Sequence, residues 1–328
     1  MNFLAKIDTP LDFFAFLLAL SVVFVNGWTD APNSIFSIVS SGALKLWQGA
    51  FLSSIFNFSG VLISSLTGAS VAKTIFSIVN TSSYCNASVI CLSCFTTVVL
   101  FGVLAWFFGL PSSESHALIF SLFGALFAAG ASTSGLWFQV TYVIFCLVFS
   151  CGFSFFISLV ISKLTMKVNL PYKKLLSVSC AALSYTHGAQ DGQKLLGILI
   201  FVLSLDGDNF SAPPVSLILL VALTMSLSTM LGGGRIIKTL SKTSSALDFH
   251  SSFCSDVGSF LTIAISSVLG MPISTGNAKS LSIIGCAVSK KERINKKMTG
   301  KILLASVITL PVCFLLGYLI CSLLSFIL

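Results

Sequence analysis

Two aspartates carry the first chemical signal. Asp30 lies in VNGWTDAPNSI, Val25 to Ile35, and Asp191 in LSYTHGAQDGQKLLG, Leu183 to Gly197. Each stands three residues after a glycine in otherwise apolar surroundings. A carboxylate in a membrane span is costly and marks an ion or substrate path. Amide oxygens from Asn26, Asn33 and Gln190 lie close by in sequence. Together they suit a small hard cation such as sodium, or a proton. A second pair of segments suits the opposite charge. PSSESHALIFSLFG, Pro111 to Gly124, and PISTGNAKSLSIIG, Pro272 to Gly285, present hydroxyls on Ser112, Ser113, Ser115, Ser274 and Thr275. Each tip precedes a helix-forming arm, and helix starts favour anions through free N–H groups and the dipole. The blander alternatives are acids that cap a helix or pair with Lys194, and serine-rich tips that only pack helices.

Composition defines the elements that must hold these groups. The 328 residues are 55% hydrophobic and 9% charged, with a mean hydropathy of +1.01. A soluble domain carries about 25% charged residues, so this is an integral membrane protein. One helical crossing needs about 20 apolar residues. Uncharged stretches run Phe13 to Thr29, Leu46 to Ala72, Ser88 to Ser113, Ser115 to Ser162, Asn209 to Gly234, Val257 to Ala278 and Ile302 to Leu328. They do not alternate, so they read as helices and not as barrel strands. The ten cysteines are scattered through apolar runs without metal-site spacing, and no cofactor is expected. The net charge of +8 lies in loops. There it reports orientation in the membrane and not a nucleic-acid partner. The first apolar run lacks the flanks and cleavage site of a signal peptide.

Both motif pairs recur at one offset of 161 residues. Gly27 and Asp30 match Gly188 and Asp191, while Pro111, Ser113 and Gly124 match Pro272, Ser274 and Gly285. This predicts two homologous halves, residues 1–165 and 166–328. Basic loops belong inside, namely Lys163 to Lys174, Arg235 to Lys242 and Lys290 to Lys301; the acidic Leu205 to Asn209 belongs outside. With the Pro111 and Pro272 segments as re-entrant hairpins (the first over Ser88–Gly130), each half has three crossings. An odd number makes the halves inverted. The expectation is an all-α polytopic membrane protein with both termini outside. Each repeat would contain a broken helix, at Asp30 and within Leu175–Ser204, and a hairpin. Lys73 falls outside on this scheme, against the charge rule.

The same residues carry a resemblance. Asn26-Gly27-x-x-Asp30-Ala31-Pro32-Asn33 and His187-Gly188-Ala189-Gln190-Asp191-Gly192-Gln193-Lys194 look like the paired signatures of the PiT family of inorganic phosphate transporters. Pro111-Ser-Ser-x-Ser-His116 and Pro272-Ile-Ser-Thr275 resemble its hairpin motifs, and Gly232 to Leu240 its Gly-Gly-x-Arg segment. The resemblance implies a cation-coupled phosphate symporter of the plasma (inner) membrane, a homodimer, with Gln193 among the phosphate ligands. It departs from the family pattern at Gln190 for Asn, Glu114 for Ser, and Gly276-Asn277 for Thr-His. Glu114 beside an anion site repels substrate, carries a proton or coordinates a cation. Lys194, three residues after Asp191, neutralises that acid or replaces a second cation. His116 and His187 have structural or proton roles open to them.

Rival classes fit less of the sequence. Sulfate or another oxyanion would suit the same fold. An intramembrane aspartyl protease would use Asp30 and Asp191, but leaves both hydroxyl-rich tips unexplained. An anion channel would need a continuous polar pore. The loop charges set a test: single cysteines at Ser211 and Ser244, in a background without native cysteines, should label from opposite sides of the membrane. Equal labelling of both from outside would sink the inverted arrangement.

Overall fold

The computed structural model describes residues 7, 9–80, 87–109, 113–130, 133–203, 212–232, 234–240, 248–292 and 294–327. Ser112, the Leu205–Asn209 loop, Ser211 and Ser244 lie outside them. Among the described residues run thirteen helices. In chain order they are α1 (Pro10–Thr29), α2 (Pro32–Ser40), α3 (Leu46–Thr67), α4 (Ser70–Asn80), α5 (Ala87–Phe107), α6 (Glu114–Ala128), α7 (Thr133–Thr165), α8 (Tyr172–Leu203), α9 (Val215–Leu231), α10 (Gly234–Leu240), α11 (Phe249–Val268), α12 (Thr275–Ser289) and α13 (Lys296–Ile327). Six segments are long and apolar enough to cross a bilayer: Pro10–Ser40, Leu46–Thr67, Ser88–Phe107, Trp137–Thr165, Phe249–Val268 and Thr299–Ile327. The 32-residue α8 has comparable length but carries Lys173, Lys174, Asp191 and Lys194.

The first helix is interrupted where its sequence requires. Pro32 has no N–H for the carbonyl of Trp28, and Gly232 packs against that carbonyl so closely that a Cβ would come within 2.0 Å of it. The interruption is short. Asp30 and Ala31 keep right-handed helical angles, and their carbonyls are recaptured by the N–H groups of Asn33 and Ser34, both at 3.0 Å. The Asn33 and Ser34 side chains donate to the same two carbonyls at 2.9 and 2.8 Å. The carbonyls of Asp30 and Ala31 are therefore not left free at the interruption.

The expected break in the second half is absent. α8 runs unbroken from Tyr172 to Leu203 through Asp191. The residue 161 positions after Pro32 is Gln193, which has an N–H to donate, so nothing stops the helix.

Two hairpins, α5–α6 and α11–α12, share local geometry. α6 and α12 are both 15 residues, and Ser113 and Ser274 cap them by accepting from the N–H groups of His116 and Asn277, each at 3.3 Å. Gly109 and Gly270 precede the tips at φ +65° and +68°, a conformation a side chain disfavours. The first arms are longer, 21 and 20 residues, so each spans about 30 Å at 1.5 Å per residue. The chain doubles back to place the polar tip inside the bundle. α7 packs on α12 and α13 on α6.

Lipid tails compete equally for apolar side chains, so membrane helices associate through close packing. α3 and α8 show this. A Cβ on Gly60 would fall 2.0 Å from the Tyr185 carbonyl oxygen, and one on Gly188 would fall 2.3 Å from that of Asn57. Neither neighbour can move without moving a helix. Gly188→Val should lower stability by about 1–3 kcal/mol through overpacking, read as a lower unfolding midpoint in detergent. An unchanged midpoint would show that α3 and α8 can separate at no cost.

Candidate functional site

The site forms where α1, α6, α8 and the tip before α12 converge. Its centre is Lys194, 2% exposed. The ammonium donates to Asp191 Oδ1 at 2.5 Å, to Ser115 Oγ at 2.7 Å and to the Ile273 carbonyl at 2.5 Å. These partners come from α8, from the start of α6 and from the second hairpin tip. The other Asp191 oxygen accepts from Thr275 Oγ1 at 3.0 Å. His187 Nε2 approaches it at 3.2 Å without the alignment of a hydrogen bond. The ring's Nδ1 lies 3.1 Å from Asn57 Oδ1. Both hydroxyl-bearing helix starts thus meet one ion pair.

The first acidic motif adjoins it. Asn26 Nδ2 donates to Asp30 Oδ2 at 3.3 Å, one helical turn away. Thr29 Oγ1 donates to Glu114 Oε1, tying α1 to the first hairpin. Asn26, Glu114, Ser115, Asp191 and Lys194 line a small cavity closed by Val22, Leu118 and Leu195. Several buried oxygens here have no hydrogen-bond partner among the described residues: Asn26 Oδ1, Asn33 Oδ1, Glu114 Oε2 and Gln190 Oε1. An unsatisfied buried acceptor costs about 1–3 kcal/mol. These are oxygens that a hard cation or a protonated group would satisfy. A Cβ on Gly276 would lie 2.9 Å from Asn33 Nδ2, so the second tip packs directly on the residue after Pro32.

Other expected residues sit elsewhere. Gln193 accepts from the Val71 N–H at 2.9 Å and lines an open recess with Ser64, Thr67, Ser70, Thr186 and Ser267, not the Lys194 cavity. Gln190 donates to the Met271 carbonyl at 2.7 Å, bracing the second hairpin. The Ser113 and Ser274 hydroxyls accept helix-capping bonds, leaving only their protons to offer a ligand. His116 is fully buried and neither ring nitrogen has a partner among the described residues.

Sequence reasoning missed Thr29, Asn57 and the pair Asp256–Lys279, joined at 2.5 Å. The last two were visible only as the charges bounding an apolar stretch. The serines at 251, 252, 255, 259 and 266 on one helix were the available clue to a polar buried face. A second recess holds Trp28, Trp47, Trp106, Met230, Leu231 and Arg235, with the Arg235 guanidinium 4.4 Å from the Trp106 ring centre. It meets α3 near Leu46 and the Gln193 recess meets it near Thr67, so the two recesses lie at opposite ends of that helix.

Membrane-length helices that enclose carboxylates, an ammonium and two hydroxyl-tipped helix starts describe a membrane transporter. The particular kind follows from likeness to known proteins: the chain belongs to the phosphate transporter family, whose model matches residues 26–171 and again 164–317. A probable low-affinity inorganic phosphate transporter of Bacillus subtilis (strain 168) is 30% identical over 314 residues, covering 92% of this chain and 93% of that one. Its namesake from Rhizobium meliloti (strain 1021) is 30% identical over 326 residues, covering 95% and 96%. A solved structure named the sodium-dependent phosphate transporter superposes with a TM-score of 0.81 at 18% identity, over 98% of this chain and 100% of that one. That likeness speaks for the fold. The chain is a phosphate transporter and not an enzyme, which removes the protease alternative.

Geometry predicts how the central pair behaves. Removing one partner of a buried ion pair strands the other charge at about 3–5 kcal/mol, whereas removing both is far cheaper. Lys194→Met should therefore destabilise the detergent-solubilised protein strongly, and adding Asp191→Asn should restore much of the loss. A double variant as unstable as the sum of both singles would mean the two groups do not interact.

Proposed function

We propose that this chain is a symporter that carries inorganic phosphate together with a cation, sodium first and the proton second. One observation carries the reading. Three buried carboxylates, Asp30, Glu114 and Asp191, share their surroundings with a single ammonium, Lys194. Were these acids ionised, adding an anion to the cluster would be prohibitive at low dielectric. The cluster becomes hospitable to phosphate once cations or protons neutralise the surplus. That requirement is coupling.

The parts then take roles. Phosphate would approach Lys194, the Ser115 hydroxyl proton, and the N–H groups at the starts of α6 and α12, where Thr275 and the capping serines Ser113 and Ser274 stand. Ser112, outside the described residues, is kept as a proposed phosphate ligand. The coupling ion would sit against Asp30, drawing on Asn26 Oδ1 and Asn33 Oδ1 on the same side of the helix interruption. Asp191 is already held by Lys194 and Thr275, so it needs less from a free ion; Gln190 positions its surroundings. Glu114 is the natural proton carrier, since Thr29 satisfies only one of its oxygens.

The two recesses support an alternating-access reading, with the site exposed in turn toward each end of α3. Gln193 would belong to the entrance on one side and Trp28 to the closure on the other. Matched hairpins, matched caps and matched left-handed glycines at the 161-residue offset support two repeats, residues 1–165 and 166–328, inverted in the membrane. The assembly is proposed to be an inner-membrane homodimer, as the family resemblance implies, with both termini outside, as the loop charges imply.

Asp30→Asn keeps size and loses charge. It should abolish accumulation of phosphate against its gradient while the protein remains folded. The measurement is uptake by proteoliposomes under a sodium gradient alone and a proton gradient alone. Wild-type accumulation by the variant would remove Asp30 from the coupling site, and equal uptake without any gradient would argue for a channel.

A further inference from the structure

Away from the Lys194 site, α2, α8, α11 and α12 bury a second pair of charges. Lys279 is 1% exposed and Asp256 is fully buried. The Lys279 ammonium donates to Asp256 Oδ1 at 2.5 Å, to Ser37 Oγ at 2.7 Å and to Ser255 Oγ at 2.9 Å. Asp256 Oδ2 accepts from Ser179 Oγ at 2.8 Å. Every contact of the ammonium is an oxygen, and the shell resembles that of Lys194: one carboxylate and two neutral oxygens.

Packing does not require charge at this place. Shifted by 161 residues, Lys279 corresponds to Leu118, Asp256 to Phe95, Ser255 to Cys94 and Ser37 to Ile198, all buried. The correspondence extends to a hydrogen bond, since Ser121 Oγ donates to the Cys94 carbonyl at 3.5 Å and Ser282 Oγ to the Ser255 carbonyl at 2.8 Å. One chain thus solves the same contact with apolar side chains in one place and with an ion pair in the other. Burying such a pair costs several kcal/mol per ion, and an apolar replacement is often as stable or more so. Stability alone does not account for it.

Position suggests what does. Ser37 lies seven residues beyond Asp30, and Lys279 lies four residues beyond Thr275. The shell therefore joins α2 to α12, the elements that lead away from the two motifs meeting at the main site. We propose that Lys279 is a built-in cation. Its ammonium fills an oxygen shell suited to a monovalent metal ion such as sodium, and it holds α2 against the second hairpin with a charge that cannot leave. On the cation-coupled reading above, one ion position is then permanently loaded, and ion exchange falls to the Asp30 region.

The test needs no transport, so it stands apart from that reading. Lys279→Ala leaves Asp256 with the hydroxyls of Ser37, Ser255 and Ser179. Thermal unfolding of the purified full-length protein is followed from sodium-free to sodium-rich buffer at constant ionic strength, with choline as the balancing cation. An ion that binds only the folded state raises its midpoint. The midpoint of Lys279→Ala should climb with sodium more steeply than that of wild type. Adding Asp256→Asn should abolish the extra climb while leaving any response of the Asp30 region in place. Equal sodium responses in Lys279→Ala and wild type, or an extra climb that survives Asp256→Asn, would overturn the proposal. Should Lys279→Ala be recovered folded only from sodium-containing buffer, that supports it; failure to fold in every cation overturns it. The pair Asp256→Leu with Lys279→Leu should fold, because the offset positions pack without charge; its failure would make the ion pair scaffolding and also overturn the proposal.

Discussion

A lysine ammonium buried among membrane helices must give each of its protons to an oxygen, and Lys194 finds those oxygens on three different elements. Asp191 lies one turn back on α8, Ser115 begins α6, and Ile273 belongs to the tip before α12. No local segment could satisfy it. The two hairpins therefore have to converge on α8, and the rest of the molecule follows from that meeting. The doubled-back tips, the serine caps that let two helices start in the interior, and the glycines that let α3 approach α8 all serve it.

The same arrangement has an unpaired remainder. Asp191 is matched, but Asp30 and Glu114 bring two further carboxyl groups that Lys194 does not contact, and amide oxygens on Asn26, Asn33 and Gln190 point at no donor among the described residues. In a soluble protein water would absorb such an imbalance. Between membrane helices no such solvent is at hand. The apolar side chains beside these acids, Val22, Leu118 and Leu195, are themselves buried.

The two lysine-centred clusters divide the labour differently. Lys194 sits where two hydroxyl-tipped helix starts can supply an incoming anion, beside a cavity. Lys279 sits in a closed shell whose offset counterparts are leucine and phenylalanine. The two hairpins thus differ in chemistry while sharing their local backbone geometry. A proline decides whether the first helix is interrupted, and a glutamine at the matching place lets α8 run on.

Much was legible in the sequence because membrane burial makes polar residues conspicuous. The helical class, the two motif pairs, their spacing and the acids themselves required only hydropathy and counting. Pro32 announced the interruption of the first helix because a missing N–H is a local property. Tertiary structure alone decided the rest. That Ser115 accepts from Lys194 and that Gln193 accepts from the Val71 N–H depends on what lies across the bundle. The pair Asp256–Lys279 was hidden because its residues are 23 apart on separate helices, and charges at the ends of apolar stretches look like loop charges until the fold encloses them. Periodicity reports which residues one helix presents together; it carries no information about which other helix answers.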